Sequence, residues 1–223
     1  MATAAQVANR FELGRAVSYS RLSGLVKLGL LEHARIFHAA PGVYLATRPG
    51  LVSVNLALPP SRVDLRTYEH DLELSTRMIE LERKFDAALI ATEREMRAAD
   101  TPIGRAPAER PRFAVPLAGV RGQMQLTPVG HPRLHFPDSA VFVRGHDEEL
   151  LAVELEKTAK GRARVRRILS GYIASRHIQG VRYYATTERV RDLLETEVSA
   201  LNAHALIEVR ERSSEVSAAA RAA

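Results

Sequence analysis

Two kinds of hydrophobic spacing divide this chain. Through residues 3–58 and again through 66–99 apolar positions recur at helical intervals, whereas 112–211 alternates short apolar runs with helical ones. In AAQVANRFE (4–12) the stripe is Ala5, Ala8 and Phe11, and Gly14 then permits a turn. The next stretch, VSYSRLSGLVKLGLLE, predicts a helix capped by Ser18 or Ser20. Its buried face is Leu22, Leu25 and Val26, and Gly29 stops it. HARIFHA and VYLATR flank Ala40-Pro41-Gly42, a turn signal between two short strands. Residues 66–99 read as one long helix with Leu72, Ile79, Phe85, Leu89 and Met96 on its apolar side. Acids at 69, 71, 73, 80 and 82 alternate there with Arg77, Arg83 and Lys84. After it come strand 134–144, strand 149–157, helix 161–177, strand 181–187, helix 188–203 and strand 205–211.

Pro59-Pro60 closes the first block, and the run 101–107 with Pro111 forms a linker. The expected organisation is 1–60, a helix-turn-helix with a hairpin wing; 61–111, a long connecting helix and linker; 112–212, a mixed α/β domain; and 213–223, a flexible tail. That is an α+β chain. A winged helix ordinarily has a further helix before its turn pair, and here Met1 stands almost on the second one. Either the start is trimmed or another segment or subunit fills the place, the helix at 66–99 being the nearest candidate.

Composition narrows the picture. Hydrophobic residues at 46% and charged ones at 26% are globular proportions, and with 5% aromatics and no Trp any core rests on aliphatic side chains. There is no cysteine, which excludes disulfides, thiolate metal sites and cysteine nucleophiles. No stretch approaches the roughly 20 apolar residues of a membrane helix, so the expectation is a cytoplasmic protein without a membrane partner. The net charge of +6 and pI near 10.0 draw the chain toward polyanions, although generous Arg and Ala usage accounts for part of that.

Charge and helix together point to duplex DNA as the partner. The side of the second helix opposite its apolar stripe carries Arg15, Ser18, Tyr19, Arg21, Ser23 and Lys27, and the wing adds Arg35. Residues 1–58 hold six bases against two acids. Small polar side chains and a few bases on an exposed helix suit major-groove insertion. A homodimer through the long helix or the C-terminal domain is a second expected association.

The C-terminal block offers candidate chemistry. Glu154 and Glu156 share one face of their strand, and Asp138 lies 16 residues before Glu154, a spacing that suits an adjacent antiparallel strand. Converging carboxylates, with Asp138 and Glu154 as ligands, would take Mg²⁺ and activate a water against a phosphodiester. Lys157 or Lys160 would supply the cation. The following run, Lys160, Arg162, Arg164, Arg166 and Arg167, contains no acid and reads as a phosphate-gripping edge, or as partners for the acids before it. His70-Asp71 has the outline of an HD phosphohydrolase signature without its further ligands.

Pro137-Asp138 followed by Glu154-Leu155-Glu156 resembles the PD-(D/E)xK nuclease superfamily, with Glu156 where that pattern has Lys. Together with QVANRFELGRAVSYSRLSGLVKLGLLE, VYLATRPGL, His70, LAVELEKT and Arg166-Arg167 ahead of Tyr172, the chain resembles the replication-relaxation family of plasmids and integrative elements. That resemblance implies a winged helix joined to a degenerate nuclease-like domain, and control of replication, transfer or transcription. Three functions stay open: a DNA-binding regulator with a silent nuclease fold, a Mg²⁺-dependent nuclease or nickase, and an adaptor that touches no DNA.

Overall fold

A computed structural model describes residues 1–86, 89–101, 111–118, 123–128, 130–142 and 149–211. The fold is α+β, and the chain divides into two compact units between Lys84 and Phe85. Among the described residues no helix is long and apolar enough to cross a membrane. Most of the expected linker and the tail from Ser213 lie outside the described residues.

The first unit runs β1 (Ala2–Thr3), α1 (Ala4–Arg10), α2 (Arg15–Lys27), β2 (Leu31–Ala34), β3 (Val43–Ala46), α3 (Arg48–Ser53) and α4 (Tyr68–Lys84). Thr3 begins α1 with a capping box: its hydroxyl accepts from Gln6 N at 3.2 Å while its own N–H donates to Gln6 Oε1 at 2.8 Å. Ala4 is the buried residue of α1, and Ala5 and Phe11, expected inside, are exposed. The α2 helix starts earlier than its serines suggest, with Gly14 and not Ser18 or Ser20 as N-cap. It ends in a Schellman turn, where Gly29 N–H donates to Val26 O and Leu30 N–H to Leu25 O, with Gly29 at φ 70°.

All strand pairs of the first sheet are antiparallel and its order is β1-β3-β2. Val43, Leu45 and Tyr68 are buried together, with Met1, Ala34, Ile36, Val63 and Leu72 against them. The α3 helix was not expected. Thr47 caps it by accepting from Gly50 N, Pro49 stands in its first turn, and a Cβ on Gly50 would fall 2.1 Å from Leu30 O. The α4 helix is fastened to the start of the chain by polar bonds. Gln6 Nε2 donates to Leu72 O at 2.6 Å and Thr76 Oγ1 at 2.9 Å, and Ser75 Oγ donates to Met1 O at 2.5 Å. Arg83 donates to Asn9 O at 3.0 Å, and Arg10 pairs with Glu82.

The second unit holds β4 (Ile90–Thr92), α5 (Glu93–Asp100), β5 (Val115–Pro116), β6 (Leu134–His135), β7 (Ser139–Phe142), β8 (Leu150–Glu156), α6 (Arg162–Ala174), β9 (Ile178–Ala185), α7 (Glu188–Ala200) and β10 (Ile207–Glu211). Its main sheet has the order β10-β9-β8-β7-β4, in which β8, β9 and β10 are parallel and β7 and β4 antiparallel to their neighbours. Crossover helices α6 and α7 account for the parallel half. Leu150, Ala152, Val165, Leu169, Tyr172, Val181, Leu194 and Ile207 belong to one core cluster.

Two expectations are corrected here. Residues 66–99 are not one helix. Helix α4 stops at Lys84, Ala91 pairs with Ala140 as part of an edge strand, and Thr92 and Glu95 form a second capping box that begins α5. The capping signal overrides a helical period that runs straight across it. The segment proposed as a connector, 61–111, is therefore shared between the two units. The strand expected over 134–144 also breaks, at Phe136-Pro137-Asp138, where proline has no N–H to donate to a ladder. Asp100, buried at the end of α5, accepts from Arg112, Phe113 and Ala114 N–H groups, each at 2.8 Å, and so fixes the entry of the chain into β5.

Candidate functional site

The three acids of the second unit do come together. Leu150, Ala152, Glu154 and Glu156 alternate along β8 with the odd positions, so the two glutamates extend the face that carries core residues lower on the strand. Asp138 stands one residue before the Ser139–Val153 pairing of β7 with β8. All three carboxylates act electrostatically on Tyr183, which lies opposite Glu154 on β9.

Each acid has a protein partner. Glu154, 4% exposed, takes His135 Nε2 at 2.5 Å from β6 and the Tyr172 hydroxyl from α6, both on Oε1. Glu156 Oε2 takes Lys160 Nζ at 2.5 Å, and Asp138 Oδ2 accepts from Leu155 N at 2.7 Å. Burial pushes Glu154 toward protonation, but the charge of His135, the bonds from His135 and Tyr172, and Lys160 hold it below the ordinary glutamate value. Glu156 goes the other way, because its burial outweighs Lys160. Burial and the nearby carboxylates raise the Tyr172 and Tyr183 hydroxyls well above their ordinary value, so Tyr172 keeps its proton and donates.

This donor set does not fit Mg²⁺. That ion requires octahedral oxygen ligation through carboxylates whose lone pairs are open to it and to its waters. Here one oxygen of Glu154 is taken twice, one of Glu156 by an ammonium, and one of Asp138 by a backbone amide. Among the described residues no group of three or more His, Asp or Glu side chains is arranged to hold a metal ion. Lys157 follows the end of β8, and Lys160 reaches Glu156.

The basic run is largely committed inside the unit. Arg162 and Arg166 both bond Glu197 of α7, whose side chain has no exposed surface, Arg166 Nε to Oε2 at 2.6 Å. Burial favours the neutral form of Glu197, yet these two guanidinium groups hold its carboxyl below the ordinary value. Arg167 Nε donates to Ala163 O within its own helix. Of the five cations expected to grip phosphate, Lys160, Arg162 and Arg166 instead neutralise acids, and Arg164 is exposed on α6.

The helix α2 is different. Arg15, Tyr19, Arg21, Ser23 and Lys27 are exposed, and the helix contains no acid. Arg15 lies over the Tyr19 ring at 5.9 Å. Ser18 is corrected: it is 1% exposed and its hydroxyl donates back to Gly14 O at 3.1 Å, so it serves the fold and not a partner. Leu22 is buried as expected, whereas Leu25 is exposed. On the hairpin, Arg35 is exposed and donates to His38 O at 3.2 Å. Sequence reasoning missed His135 and Glu197. Their partners lie 19 and 31–35 residues away along the chain, with no local pattern to mark them.

Comparison of the chain with protein-family models, curated proteins and solved structures gave no match.

Proposed function

We propose that the protein is a DNA-binding regulator that reads duplex DNA through its first unit, built as a winged helix, and does not cut it. The observation that carries this reading is the first sheet. Its order β1-β3-β2, with α1 and α2 between β1 and β2 and a hairpin between β2 and β3, is the arrangement in which α2 serves as reading helix and the hairpin as wing. The basic, acid-free exposed face of α2 supplies the electrostatics. The bonds that join α1 and Met1 to α4 support α4 as the helix that a winged helix otherwise has in front.

The second unit is read as a nuclease-like sheet whose acids are neutralised from within by His135, Tyr172 and Lys160. With the resemblance of the motifs to the replication-relaxation family, this favours regulation of replication, transfer or transcription on a plasmid or other mobile element. Two measurements test it. Arg21→Ala and Lys27→Ala should each weaken duplex binding and lower the salt slope by about one counterion; no binding at low salt removes the DNA reading. Supercoiled plasmid with Mg²⁺ or Mn²⁺ should stay intact, and cleavage that disappears in Asp138→Ala would establish a nuclease instead.

A further inference from the structure

Glycine is the least favourable residue in a helix interior after proline, so one found there needs a reason. Four described glycines lie inside helices or strands: Gly24, Gly50, Gly171 and Gly180. At three of them the chain's own atoms stand close to where a side chain would begin, and at Gly50 and Gly171 those atoms are backbone. A Cβ would fall 2.1 Å from Leu30 O at Gly50, 2.5 Å from Pro116 O at Gly171, and 3.2 Å from Leu151 Cδ1 at Gly180. At Gly24 it would meet no atom of the protein within 4 Å. Nothing in the packing of this chain asks for a glycine at this place in the last turn of α2.

Its surroundings say what does. Ser20 and Leu28 lie one turn to either side, and Arg21 and Lys27 three residues before and after, all four exposed. Neither cation is paired with an acid among the described residues. The result is a gap one side chain deep in the helix surface, between two positive charges, on the helix assigned above to the DNA.

We propose that Gly24 is the point of closest approach between this protein and duplex DNA, where base edges or thymine methyl groups reach the backbone of α2. Arg21 and Lys27 then sit at the two walls of the groove, whose width admits a single helix. The inference rests on the DNA-binding reading of the first unit, and it assigns specificity to a residue with no side chain.

The test uses the full chain and a duplex of about 30 base pairs, roughly three helical turns, recovered from a random library by the wild-type protein. Gly24→Ala and Gly24→Leu are compared with wild type for binding to that duplex and for thermal unfolding. Both substitutions should raise the melting temperature by a few degrees, because each replaces a helical glycine at an open position. Affinity should fall as the side chain grows, by about tenfold or more for leucine, the equivalent of one base contact. Should the leucine variant fail to fold, the alanine variant alone carries the comparison. Wild-type affinity in the folded variants overturns the role of Gly24 and leaves the reading head standing. Failure of the wild type to enrich any sequence refutes the inference together with the reading of α2 as a sequence reader.

Discussion

Removing one oxygen atom from Tyr172 tests the partnering of the buried acids most directly. Tyr172 has no exposed surface, and its hydroxyl donates to a Glu154 carboxylate that is itself 4% exposed. Tyr172→Phe deletes that donor without opening a cavity of any size, and Glu154 keeps His135. A hydrogen bond to a charged group contributes about 1.5–3 kcal/mol, more than a neutral one, because the carboxylate cannot recover the loss from water. At roughly 4 °C per kcal/mol for a unit of this size, the melting temperature falls by roughly 6–12 °C. Far-UV circular dichroism follows the transition, since the chain has no Trp to report on it. The second arm is the same substitution made in Glu154→Gln. There the effect of losing the hydroxyl should shrink by about 1 kcal/mol or more, the signature of two groups in direct contact. Additive effects, or a Tyr172→Phe protein that melts with the wild type, would refute the picture of a carboxylate held ionised by this tyrosine.

Two further outcomes follow from the second unit. Glu197 has its carboxyl value lowered in the folded state, so its stabilisation is present above the ordinary carboxylate range and disappears as pH falls through the lower folded value. Glu197→Gln should therefore be less stable by about 1–3 kcal/mol at pH 7, with the difference closing below about pH 4, as urea titrations across that range will show. Gly171→Ala places a methyl group 2.5 Å from Pro116 O, where α6 meets β5, and should destabilise by about 1–3 kcal/mol; a neutral or stabilising result in thermal unfolding would mean that this contact yields freely.

What could be read from the chain alone was whatever is local or periodic. The strands and helices from Leu150 to Glu211 follow apolar runs and turn residues, and all were placed within a few positions. The shared face of Glu154 and Glu156 follows from the period of a strand. The break at Lys84 did not, because the apolar spacing continues across it, and only the Thr92–Glu95 capping box marks the restart. The partners of the acids were the least legible. His135 meets Glu154 through the pairing of a two-residue strand, and Glu197 meets Arg162 and Arg166 through the packing of two successive crossover helices. Neither juxtaposition leaves a periodic trace. Ser18 shows the converse: a small polar residue on a basic helix looks outward in a sequence, and here its rotation about the helix turns it in.

The bonds between α4 and the first ten residues bear on where the molecule can be divided. A cut at Pro59-Pro60, the most obvious punctuation in the chain, would strand Gln6, Arg10 and the carbonyl of Met1 without the groups that satisfy them on Thr76, Glu82 and Ser75. It would also strip Tyr68 from the small core around Val43 and Leu45. The smallest portable fragment is thus 1–84, closed by a helix at its far end. Grafting that fragment onto another protein should carry the α2 surface with it, whereas 1–60 should yield a chain with a motif and no fold.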